Sequence, residues 1–222
     1  MSSLVEPTLT RRVYETLRDN ILDGKLRPGE RLVRRTVAKQ LGVSYIPVTE
    51  ALYMLELDGL VQNLPKHGCR VRELTIEQIR NDFVLREALE CQSARLAVEK
   101  GGEEQYARLL HQAVRLDRVL FDADPYSSLG AQMHAELHLA IAQISDLKYF
   151  IAELQKIWKQ HLARWNWLSA TLYKKPPRGW HERLIREIMS GDPDRAEQAM
   201  RAHTRYGTDI DETVFQQLVD QM

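Results

Sequence analysis

Cysteine is nearly missing from this 222-residue chain: Cys69 and Cys91 are its only two. Two thiols build neither a disulfide framework nor a multi-cysteine metal knuckle, so a metal site here must use other donors. Long apolar runs are missing as well. No stretch reaches the roughly 18–20 residues that a helix needs to cross a bilayer. The opening residues MSSLVEPTLTRRVYETL lack the basic-then-apolar order of a signal peptide. Net charge is missing too, with 31 Lys+Arg against 31 Asp+Glu. There is no sequence repeat and no low-complexity segment. What is left, 44% hydrophobic and 28% charged, is the profile of a soluble globular chain, expected in a reducing cytoplasm with no membrane partner. Its length suffices for two domains, one with a sizeable core.

The zero balance hides an asymmetry. Residues 1–75 hold 12 Lys+Arg and 9 Asp+Glu, leaving 19 against 22 in the remainder. The contrast is modest, but its sign allows a nucleic-acid partner for the first part.

Local patterns divide the chain near residue 75. In RRVYETLRDNILDG, Val13, Leu17, Ile21 and Leu22 recur at helical spacing, Thr10 or a neighbour caps the start, and Gly24 stops the run. Pro28-Gly29 marks a turn. Val37, Ala38 and Leu41 then make a short apolar helix that Gly42 breaks. Ser44 is placed to cap the next one, in which Val48, Ala51, Leu52 and Leu55 form a stripe ending at Gly59. Two short helices around a glycine-containing turn predict a helix-turn-helix. The following LVQNLPKHGCRVREL predicts a two-stranded wing with its tip at Pro65–Gly68.

Beyond Thr75 no strand signal of any length appears. Thr75 is placed to cap a helix running to Gly101, with Gln78 at the third helical position. Further helices are expected at about 103–122, 126–145, 147–172, 178–190 and 193–220, between breaks such as Asp124-Pro125 and Pro176-Pro177. The fold class is therefore mainly α. A winged helix-turn-helix occupies residues 1–74, and an all-α antiparallel bundle occupies residues 75–222.

Within that bundle the histidines stand out. QMHAELHLAI puts His134 and His138 one turn apart, bordering the stripe Met133, Leu137, Ile141, Ile144. His181 shares the inward phase of Leu184, Ile185 and Ile188, and His203 that of Ala196, Ala199 and Met200. A single inward histidine is usually a satisfied core residue. Four on three helices point to a metal, because imidazole is the commonest protein ligand for transition ions.

Two resemblances sharpen these readings. The segment from Val13 to Val71 closely resembles the winged helix of GntR-family transcription regulators over residues 11–72. Its markers are Ile-Leu-x-Gly-x-Leu-x-Pro-Gly from Ile21 and Leu-Gly-Val-Ser from Leu41. The resemblance implies a homodimer reading an inverted-repeat operator in double-stranded DNA, with the second helix of the motif in the major groove. It implies DNA contacts from Arg34, Arg35, Lys39, Ser44, Tyr45, Ile46 and Thr49, and from Lys66, His67 and Gly68 at the wing. At Tyr45, Ile46 and Thr49 the family commonly carries arginine, threonine and arginine, so this chain is expected to read a different sequence.

LREALECQSARLA, HAELHLAIAQIS and WHERLIREIMSGDPDRAEQAMRAH resemble the FCD effector domain of the FadR branch over about residues 76–215. That resemblance implies a metal held by one aspartate and three histidines. His138, His181 and His203 match the histidines, and His134 stands where the aspartate is expected. A nitrogen-only set implies a transition ion, zinc or nickel before manganese or magnesium. Arg86 is expected to meet the carboxylate of a small organic acid, against the reading of an Arg86–Glu90 surface pair. Arg164, with His161 beside the Trp158–Trp165 stripe, is expected to line the same cavity. Two rivals remain: a metal-dependent enzyme acting on a small carboxylate, and a constitutive DNA binder with a structural metal.

Overall fold

In the computed structural model, residues 8–64, 68–73, 75–122, 127–172 and 175–206 are described, with backbone alone for residues 128 and 164–172. Lys66 and His67 lie outside the described residues, as does the side chain of Arg164. The chain divides into two compact units at residues 74 and 75. None of the described helices is long and apolar enough to cross a membrane.

The first unit opens with α1 (Leu9–Leu22), whose N-terminus is capped by Thr8, not Thr10: the Thr8 hydroxyl accepts from Arg11 N. Its apolar face buries Val13, Tyr14, Leu17 and Ile21 against α3 (Tyr45–Leu57), which supplies Val48, Ala51, Leu52 and Leu55. Between them lies α2 (Arg34–Leu41), ended by Gly42 at φ 65°, a left-handed conformation natural to glycine that turns the chain into α3. Ser44 is the N-cap residue of α3 but makes no side-chain capping bond. Pro47 is tolerated in the first turn, where a backbone N–H has no intrahelical acceptor.

The wing is three-stranded rather than two-stranded. β2 (Val61–Leu64) and β3 (Gly68–Val71) form the expected antiparallel pair, and β1 (Arg31–Leu32) joins the other edge of β3. A two-residue strand carries too short an alternation to be read from sequence.

The second unit is helical throughout its described residues: α4 (Ile76–Lys100), α5 (Glu103–Asp122), α6 (Ser128–Gln143), α7 (Lys148–Leu172), α8 (Trp180–Ile188) and α9 (Pro193–Arg205). The Thr75 hydroxyl caps α4 by accepting from Gln78 N. Asp192 caps α9, accepting from Asp194 N and Arg195 N ahead of Pro193 in the first turn. The last helix ends at Arg205 within the described residues, and the remainder of the expected 193–220 span lies outside them.

α4 packs on α9, α5 on α6 and α8, and α6 on α7. Their shared core joins Leu109, Leu116, Leu137, Ile141, Ile185, Ile188 and Met200. At Gly130 of α6 a Cβ would come within 2.6 Å of Leu120, so glycine lets α6 approach α5 closely. A second cluster, Ala135, Ala142, Leu154 and Trp158, closes the other side of α6.

Candidate metal centre and nucleic-acid face

Three helices bring the four histidines together. His134 and His138 descend from successive turns of α6, His181 from the first turn of α8 and His203 from the last turn of α9. His138, His181 and His203 are buried, and His134 is half-buried. Nε2 of His134 lies 3.2 Å from Nε2 of His203, and Nε2 of His138 lies 3.1 Å from the same atom. His134, His181 and His203 form a set whose candidate ligand atoms all lie within 4.8 Å of one another, and His138 adjoins it through His203. His181 Nε2 and His203 Nδ1 are buried without a hydrogen-bond partner.

Burial, reinforced by the neighbouring imidazoles, holds His134 and His203 well below the ordinary histidine range. His181 is also lowered by burial, against the opposing pull of Asp117. These are neutral rings with lone pairs to offer, the form in which imidazole binds a metal. Convergent nitrogens and an orphaned buried ring nitrogen fit a borderline transition ion.

Two carboxylates stand behind the ring nitrogens. Asp117 of α5 accepts from His181 Nδ1 at 2.7 Å and from the backbone N–H groups of His181 and Glu182 at 3.2 and 2.9 Å. It thus caps α8 and orients its histidine together. Burial acts to raise the Asp117 carboxyl, but the His181 contacts and backbone donors hold it below the ordinary range. Glu90 of α4, 1% exposed, lies 3.1 Å from His138 Nδ1 and 3.7 Å from Arg86 Nε. Burial likewise acts to raise Glu90, and His138, Arg86 and the Trp158 indole outweigh it.

Arg86 is not on the surface. It is 6% exposed, with its guanidinium 5.1 Å from the Phe83 ring centre and 5.0 Å from that of Trp158. Its terminal nitrogens approach His161 Nδ1 and the Thr204 carbonyl only at 3.5 Å, and its Nε is buried without a hydrogen-bond partner. The surface-pair reading is therefore set aside, because both Arg86 and Glu90 are buried. Trp158 packs edge-on to His134 at 5.2 Å, and Trp180 stacks on His203 at 5.5 Å. Sequence reasoning missed Asp117 and Trp180, and it named Glu90 only in the alternative surface pair with Arg86. Asp117 borders the stripe Leu109, Ala113, Leu116, Leu120, and Glu90 shares a face with Ala94 and Ala97. Acids in phase with a buried stripe were the available signal.

The first unit presents a different face. Tyr45 and Ile46, at the start of α3, are 50% and 67% exposed. Tyr53 and Leu57 continue an exposed apolar edge along the same helix. Arg35, Lys39 and Ser44 are exposed, and Arg34 is half-buried, reaching Asn63 at 3.5 Å. The Thr49 hydroxyl is turned back onto its own helix, donating to the Tyr45 carbonyl at 3.1 Å. Gly68, at φ 87°, begins β3 beside the wing tip.

Comparison with known proteins agrees with both units. Residues 9–71 match the model of bacterial regulatory proteins of the gntR family, and residues 83–206 match the FCD domain. The transcriptional repressor RspR of Escherichia coli K12 is 29% identical over 224 residues, covering 94% of this chain and 90% of the relative. The Uxu operon transcriptional regulator of the same strain is 29% identical, covering 84% and 80%. Among solved structures, Escherichia coli McbR/YncC superposes with a TM-score of 0.71 at 22% identity, covering 97% of this chain and 99% of that one. A regulator from Rhodococcus sp. RHA1 gives 0.69 at 23% identity, covering 96% and 98%. The two family matches and the regulator relatives indicate a DNA-binding transcription regulator in place of the enzyme reading. The chain belongs to the GntR family of transcription regulators, with an FCD effector domain behind its winged helix.

Proposed function

We propose that this regulator acts as a homodimer whose operator binding responds to a small organic acid bound beside a transition metal. The convergence of His134, His181 and His203 on one buried centre, with His138 against His203 and the under-satisfied Arg86 nearby, carries this reading. The four imidazoles would hold zinc or nickel, since a set of neutral nitrogens favours borderline ions over hard ones. When bound, such an ion supplies a Lewis-acidic point for an anionic oxygen. Arg86 offers a planar fork that matches a carboxylate, and its long contacts leave donors for one. Arg164 is proposed as a second contact to the same acid.

Acid binding would shift the spacing of the two DNA readers, and affinity for an inverted repeat depends on that spacing. Repression is supported by the description of one relative as a transcriptional repressor.

Arg34, Arg35, Lys39 and Ser44, with Lys66, His67 and Gly68 at the wing, are proposed to hold the phosphates. Tyr45, Ile46 and Thr49 are proposed to face base edges. Neither Tyr45 nor Ile46 makes a bidentate guanine contact, but both can pack on a thymine methyl, which favours A·T pairs.

Random-sequence selection with the purified protein tests the DNA half. Recovery of an A·T-centred inverted repeat is expected, whereas recovery of a guanine-reading site or of no enriched site contradicts it. Mass spectrometry of small acids carried through purification tests the effector half. The recovered acid should change operator affinity, and an acid that leaves it unchanged contradicts the effector role.

A further inference from the structure

An imidazole ligates a metal without bringing negative charge, so a divalent ion among these rings would leave two positive charges in a buried place with no anionic ligand. The compensating charge stands one residue further out, on two helices that contribute no histidine. Asp117, on α5, accepts from His181 Nδ1 at 2.7 Å. Glu90, on α4, lies 3.1 Å from His138 Nδ1 and is 1% exposed.

A carboxylate beside Nδ1 assigns the ring proton to that nitrogen, which leaves Nε2 as the bare lone pair. For His138 this lone pair is the atom 3.1 Å from His203 Nε2, and for His181 it is the buried Nε2 with no partner. Asp117 thus aims a lone pair into the His134–His181–His203 group, and Glu90 stands behind a ring that faces His203 of that group. Each is also fixed from its far side. Asp117 is held by the α8 N-terminus through two backbone N–H groups. Glu90 is bracketed by His138 and by Arg86 Nε at 3.7 Å, so the carboxylate that orients a metal-facing ring also neutralises the guanidinium proposed to meet the acid.

We propose that Asp117 and Glu90 are the positioning residues of the metal centre: Asp117 locks His181 in the Nδ1–H tautomer through its hydrogen bond, Glu90 favours the same form of His138 through an ion-pair contact at 3.1 Å, and both supply anionic charge that the donor set lacks. This rests on the metal reading above. It implies that metal affinity depends on two residues that never touch the ion, through ring orientation and basicity. Structural stabilisation alone would make no such demand on the ion's spectrum.

The test uses zinc alone and cobalt(II) alone on the full chain. Zinc affinity is measured by competition with a chromophoric chelator for the wild type, Asp117→Asn, Glu90→Gln and the control Glu87→Gln. Glu87 pairs with Arg201 at 2.5 Å and with Arg205 at 2.6 Å, so the control removes a comparable α4–α9 ion pair away from the rings. Asp117→Asn and Glu90→Gln should each lose about 10–100-fold in zinc affinity and shift the visible cobalt spectrum, while Glu87→Gln changes neither. Thermal melts of the metal-free proteins separate this from loss of fold. Should Glu90→Gln fail to fold, Asp117→Asn carries the test, because its remaining amide oxygen still caps α8. Wild-type affinity and spectrum in a folded variant overturn the role of that residue. Absence of zinc uptake by the wild type overturns the metal reading itself, and the inference with it.

Discussion

The two units break the usual rule of burial in opposite directions. The winged unit exposes apolar side chains, with Ile46, Tyr53 and Leu57 on one long edge of α3 and Tyr45 beside them. The helical unit buries polar ones, with Arg86, Glu90, His138, His181 and His203 all enclosed. Apolar groups left in water and charges taken out of it both cost free energy, so each exception points to something the fold alone does not need. In the first unit the exception is an exposed apolar edge, which the proposed function sets against thymine methyls. In the second it is a cluster of buried imidazoles and a guanidinium, which the proposed function assigns to an ion and an acid. A reader and a sensor are thus distinguished by the sign of their departures from an ordinary core.

The comparison breaks most readily if the two units do not work separately. Leu55 is fully buried in the winged unit, and Leu55→Ala should cost about 2–5 kcal/mol there. DNA affinity should fall sharply while zinc uptake stays at its wild-type level. Parallel gel-shift and metal titrations check this, and loss of both would show that the units stand or fall together.

A smaller effect is expected inside the sensor. Arg86→Ala removes a charge-assisted contact to a carboxylate, worth roughly 1.5–3 kcal/mol, so the acid recovered with the protein should bind about tenfold to a hundredfold more weakly. Calorimetry reads this directly. Unchanged affinity would leave Arg86 as the counter-ion of Glu90 and nothing more.

Acid and alkali should separate the units by a still smaller margin. In the sensor, burial first and neighbouring imidazoles second hold His134 and His203 below the ordinary value. Below about pH 6.5 the unfolded chain takes up protons that these folded rings refuse, so metal-free stability should fall as pH drops. In the reader, burial and the bond to Asp58 push Tyr14 from 10.0 up to about 12. Between those values the unfolded phenol loses its proton and the folded one keeps it. That contribution is complete below pH 10 and fades as the pH rises toward 12. Melts of the metal-free protein from pH 5 to 11, beside Tyr14→Phe, test both limbs. Tyr14→Phe should cost about 1 kcal/mol near neutrality and flatten the alkaline limb alone.

The sequence carried most of the fold, because long amphipathic periods and strong stops survive any packing. Thr75 and Gly101 bracket α4 as expected, and α5 runs over Glu103–Asp122, matching its expected span. Short features were harder to read. β1 is two residues long, and the cap of α1 fell two residues before Thr10. The histidines were legible because each shares a phase with a buried stripe. Their carboxylate partners were less so, because a period of 3.6 fixes the face of Asp117 and Glu90 but not the ring that a neighbouring helix brings against them. Arg86 shows the limit: Arg86 and Glu90 at i and i+4 read equally well as a surface pair, and only packing against Phe83 and Trp158 encloses them.

Metal stoichiometry decides whether the histidines of α6, α8 and α9 hold an ion. Elemental analysis of protein prepared without chelators or added metal, and of the His181→Ala/His203→Ala double variant prepared identically, compares the intact centre with one missing a ring from α8 and one from α9. About one zinc or nickel per wild-type chain is expected, and essentially none in the folded variant. Equal content in the two, or none in either, would contradict it.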